Sequence, residues 1–336
     1  MGRLPIITAC AASLALSACA AAPRAPATSL SQAGVQASGA FATDVRSVAS
    51  QLAYLDAVDA FSATMDYCQN TNIPCEAQAP SAQVSLRRRQ LAEAVTARAN
   101  ALDALSAAYT ALGQEAAEDG SADLAGAADR LVAGVNRYAG AVSALGGAPV
   151  ASLVTGPVGE VVHGIASEIG ERRQRHRIIA ASRAIASAVQ ALRNGLAEEA
   201  RVFDTIADYL VLQRTAAKLA MMRAGLVSRD DVFAALATNL GVTPTGGADG
   251  IIGSSVPVQT ALDATVRATS QAEVIATQQR YRASLQALDA LLAAHRQLEQ
   301  HRAVSLDGIN RALGQLETVI ETARQGTTAP GGGTQH

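Results

Sequence analysis

"LAGAADRLVAGVNRYAGAVSAL", residues 124 to 145, places Leu124, Ala128, Leu131, Val135, Tyr138, Val142 and Leu145 at steps alternating between four and three. Such steps hold one face of an α-helix toward a neighbour, whereas a half-buried strand alternates every second residue. Upstream, Leu91, Val95, Leu102, Leu105, Tyr109 and Leu112 keep the same rhythm, with Arg98 at the one polar step. Downstream, Ile185, Val189, Leu192, Leu196, Phe203, Ile206 and Leu210 repeat it, broken by Glu199. The longest seam runs Tyr281, Leu285, Leu288, Leu292, then His295, Glu299, Arg302, then Leu306, Ile309, Leu313, Leu316, Ile320, Ala323. Seams of this kind predict an all-α fold, an elongated antiparallel helical bundle or coiled-coil-like body of about five long helices.

Composition agrees. Aromatic residues are 3% of the 336, there is no Trp, and Lys218 is the only lysine among 27 basic residues. An alanine-rich chain with few aromatic residues favours helix over sheet. A net charge of −2 argues against a large basic surface for nucleic acid.

Chain breakers set the boundaries. Helices are expected at about 40–67, 81–118, 121–145, 158–224 and 257–324, with Ser81 and Ser121 as N-caps. At 1.5 Å per residue the two longest would reach roughly 100 Å each, so the body is expected to be a rod. If successive helices alternate in direction, the connection around 146–166 shares an end with the first connection. The loop from Gly241 to Pro257 then shares the other end with the N-terminal segment.

The first 18 residues have the three-part layout of a secretory signal: Arg3, an uncharged stretch from Leu4 to Leu16, then small residues. The apolar part is too short to span a ~30 Å hydrocarbon core. Leu16-Ser17-Ala18-Cys19 resembles the lipobox of bacterial lipoproteins. That resemblance implies cleavage before Cys19, acylation of Cys19, and anchorage in the cell envelope. Ala20 in the next position implies the outer membrane, facing the periplasm. Ile7-Thr8-Ala9-Cys10 fits the pattern too, but has fewer apolar residues before it. Residues 19–39, rich in Ala, Pro, Ser and Gly, read as a flexible tether, leaving a helical body over 40–325 and a disordered tail over 326–336.

Export also decides the reading of Cys68 and Cys75. In an oxidising compartment two cysteines seven positions apart form a structural disulfide, worth roughly 2.5 kcal/mol by the chain-entropy account. They lack the C-x-x-C spacing of redox pairs.

Catalytic signatures are sparse. None of His163, His176, His295, His301 and His336 stands in an H-E-x-x-H arrangement. Glu160-Val161-Val162-His163 matches one half of a di-iron site, but no second copy exists and the match reads as chance. No G-x-S-x-G, P-loop or dinucleotide fingerprint occurs. The expectation is therefore a protein that is not an enzyme and needs no cofactor.

Two features invite sharper readings. His295, Glu299 and Arg302 occupy three successive seam positions; either they form a buried polar layer that fixes register, or this stretch faces water because its neighbours have ended. The second is favoured here, as a solvated face is for ERRQRHR at 171–177. Tyr138 to Gly159 carries no charge over 22 residues, and the 146–166 hairpin resembles in outline the membrane-inserting heads of α-helical pore-forming toxins. Pro149, Pro157 and five glycines in 146–166 favour a tightly packed small-residue turn instead. The sequence thus points to a lipid-anchored periplasmic scaffold that meets an unknown envelope protein or the cell wall, with oligomerisation left open. A membrane-active protein is the alternative.

Overall fold

The computed structural model describes residues 24–53, 55–70, 74–79, 82–117, 121–146, 171–227 and 256–327. Every regular element among them is a helix: α1 (Arg24–Ala53), α2 (Leu55–Asn70), α3 (Ala82–Ala116), α4 (Ser121–Gly146), α5 (Glu171–Arg223), α6 (Val256–Glu299) and α7 (Asp307–Thr327). The chain is all-α. Cys19, the 1–18 segment, Glu160, His163 and the whole 147–170 stretch lie outside the described residues.

The seams face inward. Leu105, Tyr109, Leu131, Val135, Ile185 and Val189 are all buried in one continuous apolar core fed by α1 and by α3 to α7. A second, smaller cluster of Met222, Leu262 and Val266 joins the end of α5 to the start of α6. α5 and α6 contain 53 and 44 residues, which is about 80 and 66 Å of helix. α6 falls short of the expected length of roughly 100 Å because it ends at Glu299.

The expected tether is corrected. Helix α1 begins at Arg24, five positions after Cys19, and buries Ala27, Leu30, Ala37 and Phe41 against the core. The cause is close approach: Gly34 lies so near the Tyr109 ring that a Cβ there would overlap it, and Ser31 Oγ donates to the Tyr109 carbonyl at 2.6 Å. Small residues let the two backbones come together, and alanine is the strongest helix former. A composition that reads as a linker is here a packing surface.

Simple alternation of direction is corrected as well. Glu115 meets Arg177, Arg98 meets Glu199 and Arg88 meets Gln213, so α3 and α5 run oppositely. Gly134 faces Ala101 while Tyr138 reaches the Arg98–Glu199 level, so α4 also runs opposite to α3. Consequently α4 and α5 run the same way. Arg24 Nε donates to Gln174 at 3.0 Å, and Gln174 donates to the Glu115 carbonyl at 2.7 Å. These bonds bring the starts of α1 and α5 and the end of α3 to one end of the body. α5 ends and α6 starts at the opposite end of the body from Arg24, against the simple alternation.

The last expected helix is broken. α6 stops at Glu299 and the chain turns, with Arg302 N–H donating to the Gln297 carbonyl at 2.9 Å and His301 N–H to that of Leu298 at 3.1 Å. That pair of bonds is a Schellman cap, and His301 takes the left-handed position with φ of 58°. α7 then packs back on α6, Gly308 lying against Ala290. The heptad phase continues across the break because Ile309 and Leu316 still face the core.

Cys68 and Cys75 form the expected disulfide, with their Cα atoms 4.8 Å apart. It folds residues 74–79 back on α2, where Gln78 N–H donates to Thr64 Oγ1.

Candidate functional site

The polar steps of the seams meet one another in the core. Glu199, wholly buried on α5, accepts hydrogen bonds of 2.7 Å from the hydroxyls of Tyr138 on α4 and Tyr281 on α6. Arg98 Nη1 on α3 completes the set at 3.0 Å from Glu199 Oε1. The layer thus takes one seam residue from each of four helices. Gly195 makes room for it, since a Cβ there would stand 2.7 Å from the Tyr138 ring. Arg98 also lies over the face of Tyr281, 5.3 Å from its centroid.

Electrostatics hold the two tyrosines and the arginine protonated. Burial, then the neighbouring Glu199 charge, pushes the Tyr138 and Tyr281 hydroxyls well up, so both remain donors. Burial alone would favour loss of the Arg98 proton, but Glu199, the two tyrosines and Asp44 together raise it further. An isolated buried charge would be expensive; here the carboxylate has three donors.

A second layer centres on His295. Tyr109 Oη lies 2.9 Å from its Nε2 and Ser182 Oγ 2.8 Å from its Nδ1, in a wholly buried setting. A neutral imidazole has one donor and one acceptor nitrogen, so one hydroxyl gives a proton to the ring and the other receives. Burial pushes His295 down to about 3 and Tyr109 far up. His295 is therefore a structural member and not the water-facing residue the sequence favoured. Glu299 and Arg302 do not join it. Glu299 lies 3.7 Å from Arg183 Nε, and Arg302 is exposed in the turn after α6.

Further layers follow along α3. Near its end, buried Glu115 pairs with Arg177 Nε at 2.8 Å, and burial raises the carboxyl despite that pairing. Near its start, Arg88 pairs with Asp59 of α2 and donates to Gln213 of α5. Glu273 of α6 receives Arg214 at 2.8 Å and Lys218 at 2.7 Å from α5. The ladder spans the core from end to end.

Chemically, these groups join the helices to one another through buried hydrogen bonds and ion pairs. Glu199 has its oxygens engaged, and Ser182 and His295 are too deeply buried to meet a substrate. Among the described residues, no His, Cys, Asp and Glu side chains are grouped as a metal site, and no helix is long and apolar enough to cross a membrane. Sequence reading marked Arg98 and Glu199 as polar steps without pairing them, and it read Tyr138 and Tyr281 as apolar. The usable signal was their common phase: single polar steps of opposite charge in two seams, with tyrosines in the other two. No family model, curated protein or solved structure matches the chain.

Proposed function

We propose that this chain is a lipid-anchored helical scaffold of the bacterial envelope, an elongated bundle that acts by contact with a protein partner or the cell wall. The address rests on Leu16-Ser17-Ala18-Cys19. The mechanism rests on one observation, the ladder of buried polar layers through long helices. Such layers oppose sliding of one helix past another, because a slipped register strands a buried charge. A stiff body transmits position. With lipid on Cys19 and α1 starting at Arg24, the membrane lies beside the end shared by Arg24, Gln174 and Glu115. Helix α5 carries the opposite end about 80 Å away.

The test is expression with the native signal and a C-terminal tag, comparing the parent with Cys19→Ser. The parent is expected to sediment with membranes and to incorporate labelled palmitate, while Cys19→Ser does neither. Equal labelling of both forms sinks the anchor. A photoreactive residue in place of Val150 then reports the mode of action. A discrete protein adduct supports the scaffold, whereas adducts to lipid alone, with leakage of liposomes by lipid-free protein, favour the membrane-active reading.

A further inference from the structure

One cleft in the core is walled by four helices: α1 gives Phe41 and Val48, α3 Leu102, α5 Leu192 and α6 Leu288. Its free volume is ≈ 30 Å³, room for one or two water-sized centres. Two arginines reach into this apolar setting from different helices. Arg98 and Arg280 both line the cleft, and the Nε–H of each is buried with no hydrogen-bond partner among the protein's own groups. Arg98 is 7% exposed, so bulk solvent does not serve it.

Orphan donors of this kind are costly when buried, and native proteins satisfy nearly all of them. The charges narrow what can satisfy these two. Arg98 already faces Glu199 at 3.0 Å, and Arg280 Nη1 faces Asp44 at 3.3 Å. Cations and anions balance within the site. An added anion would bring an uncompensated buried charge, which the low-dielectric interior penalises heavily. A bulky ligand does not fit the volume. What remains is a small neutral acceptor.

We propose that the cleft is an internal water site, in which ordered water accepts from the Nε–H of Arg98 or Arg280 beside the Arg98–Glu199 layer. The alternative is a dry apolar cavity, and the two kinds respond oppositely to a noble gas. The experiment is a high-resolution crystal structure of the mature chain, repeated under xenon pressure, with Arg280→Lys as the comparison. Lysine keeps the charge opposite Asp44 but removes the Nε–H.

The parent is expected to show a solvent peak within hydrogen-bond distance of either Nε and no xenon in the cleft. In Arg280→Lys the part of that density bonded to residue 280 is expected to disappear. Xenon binding between Phe41 and Leu288 overturns the proposal, as does a parent structure in which protein carbonyls cap both Nε atoms. Should Arg280→Lys fail to fold, the parent's solvent density and xenon response decide alone.

Discussion

Burial holds the His295 ring uncharged, down to about 3 against the usual 6.5 of a solvated histidine. Between those values the unfolded chain binds a proton that the folded chain refuses. Stability contributed by this group is therefore complete above about pH 6.5 and is lost as pH falls toward 3, at up to roughly 1.4 kcal/mol per pH unit. Urea titrations at pH 7, 5.5 and 4.5 measure this slope. In His295→Gln, which retains one donor and one acceptor without titrating, the slope is expected to fall by about one proton over that range. An unchanged slope would mean that a group other than His295 carries the acid response. Glu115 acts in the other sense, because its raised carboxyl favours protonation in the fold.

The helix ends offer a matched pair. α5 and α6 both close with Schellman caps, but Gly225 occupies the left-handed position after α5 with φ of 68°, and His301 occupies it after α6. A left-handed residue with a Cβ costs roughly 1–2 kcal/mol, and glycine removes that cost. His301→Gly is expected to raise stability by about 0.5–1 kcal/mol, less a small loss from its exposed contact with Arg175 Nη2. Gly225→Ala is expected to lower it by about 1 kcal/mol, both read by urea denaturation. This non-glycine cap is also why the sequence runs the last seam through as one helix. Nothing at 300–302 resembles a stop, and the one legible hint is Ser305-Leu306-Asp307-Gly308, a turn-like run. The start of α1 was hidden for the opposite reason. Leu30, Gly34, Ala37 and Phe41 keep the four-and-three spacing, but half of that stripe has almost no side chain to announce it. The four large seams were legible because leucine, valine, isoleucine and tyrosine mark them. Which polar step meets which was not, since pairing depends on the relative height of helices far apart in sequence.

For the whole molecule, the ladder raises the question of whether its polar layers contribute stability or only fix the arrangement. Removing a single partner does not separate the two. Arg98→Met alone leaves Glu199 buried with its charge uncompensated and is expected to cost about 3–5 kcal/mol. The informative variant replaces the entire layer: Arg98→Met, Glu199→Leu, Tyr138→Phe and Tyr281→Phe. With every polar group removed together, the desolvation cost disappears along with the pairing. Stability is then expected to stay level or to rise by roughly 1–4 kcal/mol. Register is expected to suffer instead, because leucine and phenylalanine pack acceptably one heptad out of place while a buried carboxylate does not. Spin labels on the exposed faces of α4 and α6, at Arg137 and Gln279, read this directly by pulsed EPR. A single narrow distance in the parent and a broadened or doubled one in the four-site variant would assign the layer to specificity. A narrow distance in both would place the specificity in the apolar packing, leaving the close fits of Gly34 on Tyr109 and Gly195 beside Tyr138 to set the register.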